Sequence, residues 1–253
     1  MYQKERMEEI YDILKKNGYV TVKYLVQQLE YSNATINRDL TVMENQKLIR
    51  RSYGGVELAE AKSVPLIFRY HKMKSIKNKM GKAAADLIAD GDTVFIDGSS
   101  TTECIGRYIT EKKDLTVITN NAALVLYLSE FPIRTICLGG SVVEPPSMLG
   151  GEVTVENAMR YHADKSFFSE EVLSETGEIG ATRLTPVGCY HTLRTVMRQN
   201  AKMSCCIIDH EKVGLECRSV LCHVCDVDCL ITDYAFDEEQ RKRYAGTKIL
   251  TVT

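Results

Sequence analysis

Apolar residues recur every three or four positions through the first part of the chain, then gather into short runs farther on. In KERMEEIYDILKKNG, Met7, Ile10, Ile13 and Leu14 fall on one side of a helix that Asn17-Gly18 can end. TVKYLVQQLE follows, with Thr21 as N-cap and Val22, Leu25, Val26 and Leu29 on the apolar face. After a break at Glu30 and Tyr31, Ser32 can cap a third helix, SNATINRDLTVMENQ, whose Ile36, Leu40 and Met43 face inward. Two short helices joined by so tight a break form a helix-turn-helix pattern. LIRRSYGGVEL then has strand-like residues on both sides of Tyr53-Gly54-Gly55, as a two-stranded wing requires. A winged helix-turn-helix is expected over residues 1–57.

Residues 58–74 lack a clear apolar period and include Pro65, which reads as a linker. From residue 75 to 253 the pattern alternates between short apolar runs and helical stretches. The runs are TVFI (93–96), LTVIT (115–119), RTICL (134–138), KSFF (165–168), MSCCIID (203–209), CLIT (229–232) and KILTV (248–252). The clearest helix is TPVGCYHTLRTVMRQN, with Thr185 as N-cap and Pro186 at the first helical position. Such alternation predicts the α/β class, with a mostly parallel sheet covered by helices and ligands at the carboxyl ends of its strands.

Composition adds limits. The chain has 253 residues and a net charge of -2, which excludes a uniformly basic nucleic-acid coat. The sum hides a local excess: Lys62, Arg69, Lys72, Lys74, Lys77, Lys79 and Lys82 stand against Glu60 alone between Leu58 and Lys82. That stretch reads as a solvated linker and helix face, with contact to DNA phosphate as the other reading. No apolar run is long enough to span a bilayer, and MYQKERMEEIYDILKK is too charged for a signal peptide. A cytoplasmic protein without a membrane partner is expected, its nine cysteines mostly reduced.

The amino-terminal part of the second helix of a helix-turn-helix faces the major groove. Asn33, Thr35, Asn37 and Arg38 lie there. Asn can read adenine and Arg guanine through paired hydrogen bonds, so Asn37 is expected to read a base and Arg38 to mix base and phosphate contact. Arg50 and Arg51, at the mouth of the wing, are candidates for phosphate or the minor groove.

The second chemistry lies in FIDGSSTTEC, where an apolar strand runs into Asp97, Gly98, Ser99, Ser100, Thr101 and Thr102. Hydroxyls and backbone N–H groups at a helix start suit an anion. Thr119 and Asn120 end the next strand, Gly139 and Gly140 the one after, and Lys212 in DHEKVG offers a point charge. An isomerase would need a carboxylate base, for which Asp97, Asp209 and Glu211 are candidates by position, though none sits in an isomerase motif. A third reading takes Cys217, Cys222, His223, Cys225 and Cys229 as a metal or thiol site. The second well-spaced pair of a zinc site is missing, and Cys205, Cys206 and Cys229 fall in core strands. His71, His162, His191 and His210 have no partner spacing, and no cofactor is called for.

The string YSNATINRDLTVMENQKLIRRSYGGVEL closely resembles the winged helix-turn-helix of the DeoR family of bacterial transcriptional regulators. Ser32, Thr35, Ile36, Arg38, Asp39, Leu40, Glu44, Leu48, Arg50, Gly54 and Gly55 match its motif; Asn37 and Gln46 depart from a usual Arg and Gly. IDGSSTT, LTVITN, ICLGG, ADKSFF, IIDHEKVG and CLITD follow in the order of that family's carboxy-terminal domain, which is similar to the ribose-5-phosphate isomerase and coenzyme A transferase fold. The resemblance implies a repressor of carbohydrate use that binds a double-stranded DNA operator as a homo-oligomer and senses a phosphorylated sugar. It implies no catalysis. Ser99 stands where a Gly is frequent, and Ser169-Glu170-Glu171 where a small Gly-containing run is usual; two carboxylates beside a phosphate would repel it or select a ligand with an amine, and the expected reading is a solvated loop.

Overall fold

A computed structural model describes residues 3–46, 48–52, 55–59, 69, 73–144, 147–184 and 190–253. The chain divides into two compact units, Met1–Lys72 and Met73–Thr253. Most of the expected linker, with Pro65 and His71, lies outside the described residues, as do Thr185 and Pro186.

In the first unit α1 (Gln3–Asn17), α2 (Val22–Leu29) and α3 (Asn33–Asn45) form where the apolar spacing puts them. Thr21 and Ser32 both act as side-chain caps, accepting from the backbone N–H of Tyr24 and of Thr35 at 3.1 Å. Glu30 ends α2 in the left-handed region at φ 56°, which turns the chain sharply into α3. Met7, Ile10, Leu14, Leu25, Ile36, Leu40 and Met43 close the core. Asp39 is completely buried and receives Arg6 Nε at 2.8 Å and Gln3 Nε2 at 2.9 Å, which pins α1 to α3.

The wing carries one strand more than the pattern indicates. β1 (Tyr19–Thr21) joins β2 (Ile49–Ser52) and β3 (Gly55–Leu58) in the order β1-β3-β2. Gly55 is what lets β1 approach: a Cβ there would lie 2.6 Å from the Val20 carbonyl oxygen.

The second unit is built on seven parallel strands, one for each apolar run: β4 (Thr93–Ile96), β5 (Thr116–Thr119), β6 (Arg134–Cys137), β9 (Ala163–Phe168), β12 (Ala201–Ile207), β14 (Cys229–Thr232) and β15 (Lys248–Thr251). Their order is β15-β14-β12-β9-β4-β5-β6. One face packs under α4 (Lys74–Ala85), a 3-10 helix at Thr102–Tyr108 and α5 (Ala122–Leu128), through Val94, Ile96, Val117, Phe167 and Ile207. The opposite face meets α6 (Glu152–Ala158) and α7 (Tyr190–Gln199) through Phe95, Ile118, Ala158, Leu193 and Met197. Neighbouring residues of β4 thus serve opposite cores, as the period of a strand requires.

Two small antiparallel sheets and a last helix were not legible as such. β7 (Ser141–Glu144) pairs with β8 (Met148–Gly150), while β10 (Val172–Leu173), β11 (Glu178–Ala181) and β13 (Ser219–His223) form a three-stranded sheet. α8 (Glu238–Arg243) is capped by Asp237, which accepts from Gln240 N at 2.7 Å.

Candidate functional site

Two groups of residues carry chemistry, one in each unit. On α3, Asn33 and Arg38 are exposed, whereas Thr35 and Asn37 are half-buried. Thr35 shares a hydroxyl contact of 2.9 Å with the Ser32 cap. Asn37 Nδ2 donates to Asn33 Oδ1 at 2.6 Å and is in turn held by Arg51 from the wing. Arg51 Nη2 donates to the Asn37 carbonyl at 2.9 Å and to Thr41 Oγ1 at 3.1 Å, and Nε lies 3.4 Å from Glu44. Arg50 reaches across the wing to Glu57 at 2.8 Å with three-quarters of its side chain still exposed. The two arginines therefore differ: Arg51 braces the helix, and Arg50 remains at the surface.

In the second unit the strand order reverses between β4 and β9. After β4 the chain moves outward to β5 and β6, then returns to β9 and continues the other way to β12, β14 and β15. In open α/β sheets the carboxyl ends of the strands on either side of such a reversal are where ligands bind. Asp97–Thr102 leaves β4 there, and Ser169-Glu170 leaves β9.

The β4 loop is organised around Asp97. Its Oδ1 accepts from Ser99 N at 3.2 Å and from Thr102 Oγ1 at 2.5 Å, while Ser99 Oγ accepts from Thr102 N at 3.2 Å. Gly98 permits a close pass, since a Cβ would come within 2.8 Å of Met148 Cγ. Ser100 accepts from Lys77 Nζ at 3.0 Å, and Thr101 is buried immediately before the 3-10 helix.

Arg194 of α7 ties the two diverging loops together. Nε donates to Asp97 Oδ2 at 2.7 Å, and Nη1 donates to Glu170 Oε1 at 2.9 Å. Asp97 thus takes donors from Ser99, Thr102 and Arg194, an organising role rather than that of a free base. His191 Nε2 lies 3.6 Å from Glu170 Oε1. Burial pushes the Glu170 carboxyl up, but Arg194 and His191 pull harder and hold it below the ordinary glutamate range. Beyond β9, Lys212 Nζ donates to Ser169 Oγ at 3.1 Å and sits 3.4 Å from Asp209.

Two sequence expectations need correction. Ser169 and Glu170 are buried rather than a solvated loop, because Arg194 supplies the charge that lets Glu170 leave water; only Glu171 is half-exposed, near Arg183 at 3.4 Å. The basic stretch is not uniformly a solvated face either, for Lys77 turns inward to Ser100 while Lys82 stays outside with Asp86.

Asp97–Thr102 and Lys212 thus flank the point of reversal, and Thr119 and Asn120 end the adjacent β5. Asn120 Nδ2 donates to the Leu149 carbonyl at 2.7 Å, but its buried Oδ1 has no hydrogen-bond partner. Gly139 and Gly140 end β6, two strand spacings or about 10 Å from β4. They adopt φ 68° and φ 104°, and Thr154 Oγ1 donates to the Gly139 carbonyl at 2.7 Å, so local packing already calls for them. Lys77, Glu170, His191 and Arg194 escaped sequence reasoning as site members. For Lys77 and Arg194 the one signal was a cation at a position that the helical period turns inward.

The remaining candidates are dispersed. Cys205 and Cys229 are paired across β12 and β14 in the core, Cys222 is buried in β13, and Cys225 is exposed. Among the described residues no group of His, Cys, Asp and Glu is arranged to hold a metal ion. His210 Nδ1 contacts Asp233 Oδ2 at 2.5 Å, a partnership its sequence spacing did not reveal. No described helix is long and apolar enough to cross a membrane.

Against protein families, residues 6–62 match the DeoR-like helix-turn-helix domain and residues 72–234 the DeoR C terminal sensor domain. The chain belongs to the DeoR family. It is a DNA-binding transcriptional regulator with a sensor domain, not an enzyme. It is 33% identical to the HTH-type transcriptional repressor GlcR of Bacillus subtilis (strain 168), over 92% of this chain and 89% of that protein. It is 27% identical to the glycerol-3-phosphate regulon repressor of Escherichia coli (strain K12), over 92% of each chain. The lactose phosphotransferase system repressor of Streptococcus mutans is also 27% identical, over 99% of this DeoR-family chain and 100% of the relative. Among solved structures, ribose 5-phosphate isomerase A of Methanocaldococcus jannaschii aligns with 56% of this chain and 55% of its own at 18% identity and a TM-score of 0.39.

Proposed function

We propose that the protein represses a carbohydrate-utilisation operon as a cytoplasmic homo-oligomer, and that a phosphorylated sugar in the crevice between β4 and β9 changes its grip on the operator. Asn37 reads a base, Arg38 contacts base and phosphate, Asn33 and Thr35 complete the reading surface, and Arg50 meets phosphate. Arg51 acts by fixing Asn37. Repeated half-sites and matching protein symmetry would multiply the modest affinity of one reading head.

The observation that carries the sensor assignment is the hydroxyl-rich loop of β4 joined through Arg194 to the end of β9, where strand order reverses. Gly98, Ser99, Ser100, Thr101 and Thr102 cradle the phosphate beside Lys212, Asp97 holds the cradle in shape, and Thr119, Asn120, Gly139 and Gly140 line the neighbouring strand ends. Relatives named as a glycerol-3-phosphate regulon repressor and a lactose phosphotransferase system repressor support the control of carbohydrate use. The test is to select an operator from random duplex DNA, then measure its affinity and the thermal midpoint of the protein against a panel of phosphorylated sugars. At least one compound should raise the midpoint and change operator affinity. A panel that leaves both unmoved overturns the reading.

A further inference from the structure

We infer that Asp233 is a positioning residue for the anion site: by holding His210 through both carboxylate oxygens it fixes the turn that carries Lys212, and the hold follows the charge on the His210 ring. The inference rests on the reading of Lys212 as a phosphate contact and adds what governs that lysine.

A 3-10 turn, His210–Lys212, follows β12 at the carboxyl edge of the sheet. Its own bonds are few: Lys212 N donates to the Asp209 carbonyl at 3.1 Å, and Val213 N donates to the His210 carbonyl at 3.2 Å. So short a 3-10 segment holds its place poorly by itself, and neighbours must fix it. On the exit side Gly214 N donates to the Leu173 carbonyl at 2.8 Å. On the entry side stands Asp233, one residue past β14. Its Oδ1 accepts from His210 N at 2.8 Å, and its Oδ2 meets His210 Nδ1 at 2.5 Å. The turn is thus pinned toward the strands on either side of β12. His210 reaches the end of β14, and Lys212 reaches Ser169 at the end of β9, Nζ to Oγ at 3.1 Å.

The Asp233 side chain is 7% exposed and that of His210 48%. A carboxylate so far withdrawn from water needs its charge met, and a protonated His210 ring meets it. The hydrogen bond to Asp233 raises the His210 pKa above its ordinary 6.5; burial opposes the rise, and the charges of Asp233, Asp209 and Glu211 add to it. Lys212, the cation of the same turn, is directed to Ser169 and Asp209. A group whose folded pKa is raised gives its charge-assisted contact in full below 6.5 and loses that assistance as pH rises through the folded value. The turn is therefore held most firmly in mildly acid solution, and Lys212 with it.

The test titrates the full chain calorimetrically with glucose 6-phosphate and glycerol 3-phosphate from mildly acid to mildly alkaline pH, alongside Asp233→Asn, Asp233→Ala, His210→Gln and Lys212→Met. Ligand ionisation is the same for every protein, so the ratio of wild-type to variant affinity at each pH isolates the protein's part. In mild acid, both Asp233 variants and His210→Gln should bind about fivefold more weakly than wild type, the scale of one hydrogen bond. As pH rises through the His210 transition, Asp233→Asn, which still offers an acceptor to the His210 N–H, should converge on wild type. His210→Gln should converge likewise, while Asp233→Ala stays weaker. Thermal midpoints report whether each variant is folded, and His210→Gln, at a half-exposed position, carries the test if the Asp233 variants are not. Affinity ratios that do not change with pH overturn the role of the His210 charge, and wild-type affinity in Asp233→Ala at every pH overturns the positioning role. If Lys212→Met loses binding while the other variants keep it, this inference alone falls. If Lys212→Met binds as wild type does, or wild type binds neither probe, the reading of Lys212 falls with it.

Discussion

Arg51 of the wing holds Asn37 of the recognition helix twice, through Nη2 to its carbonyl at 2.9 Å and through Nη1 to its Oδ1 at 3.3 Å. The wing and the Asn37 side chain are consequently one mechanical unit. Asn37→Ala should cost about 1–3 kcal/mol at a single operator position and relax the preference there. Arg51→Met should relax the same position by freeing the Asn37 amide to turn. Binding-site selection on both variants checks this; unaltered base preference in Asn37→Ala would remove it as a reader.

Arg50 should behave differently. Its contact with Glu57 leaves most of the guanidinium in solvent, where an ion pair contributes little. Arg50→Ala is expected to weaken binding to all sequences alike and to lower the slope of log affinity against log salt by about one. A change in sequence preference with no change in slope would contradict that assignment.

The Arg6–Asp39 pair sets the stability of the reading unit. Arg6→Met leaves the buried Asp39 carboxylate without its cation and should destabilise the unit by about 3–5 kcal/mol. Denaturant titration followed by far-ultraviolet dichroism reads the loss, and a change below 1 kcal/mol would show that Gln3 suffices for Asp39.

Glu170 gives the sensor unit a pH signature. Its folded pKa lies below the ordinary value of 4.5, so its contribution is fully present above that value and fades as pH falls through the lowered folded value. Glu170→Gln should therefore lower stability at neutral pH by about 2 kcal/mol, the scale of a hydrogen bond between charged groups. The variant and wild-type curves should converge below pH 4.5. A difference that persists unchanged into acid would mean that packing, not charge, is what the substitution removed.

The central sheet was legible because parallel strands buried on both faces read as unbroken apolar runs, as in TVFI and CLIT. The helix-turn-helix was legible because Thr21 and Ser32 are local caps that bond within three residues. β10 and β1 are too short to carry a period, and their pairing depends on partners distant in the chain. The same holds for the site. Asp97–Thr102 is one contiguous loop with turn chemistry of its own, whereas Arg194 meets Asp97 across 97 positions of sequence. Glu170 follows the same rule: a carboxylate in a strand-end loop reads as solvated, and the guanidinium that lets it be buried lies 24 positions away.

The reversal of strand order between β4 and β9 brings together two strand-end segments far apart in the chain. One is a compact hydroxyl loop that fixes its own shape through Asp97; the other is Ser169-Glu170, whose side chains are tied to it through Arg194. The bonds that shape the β4 loop run within it, so the sequence at the end of β9 can vary without unmaking them.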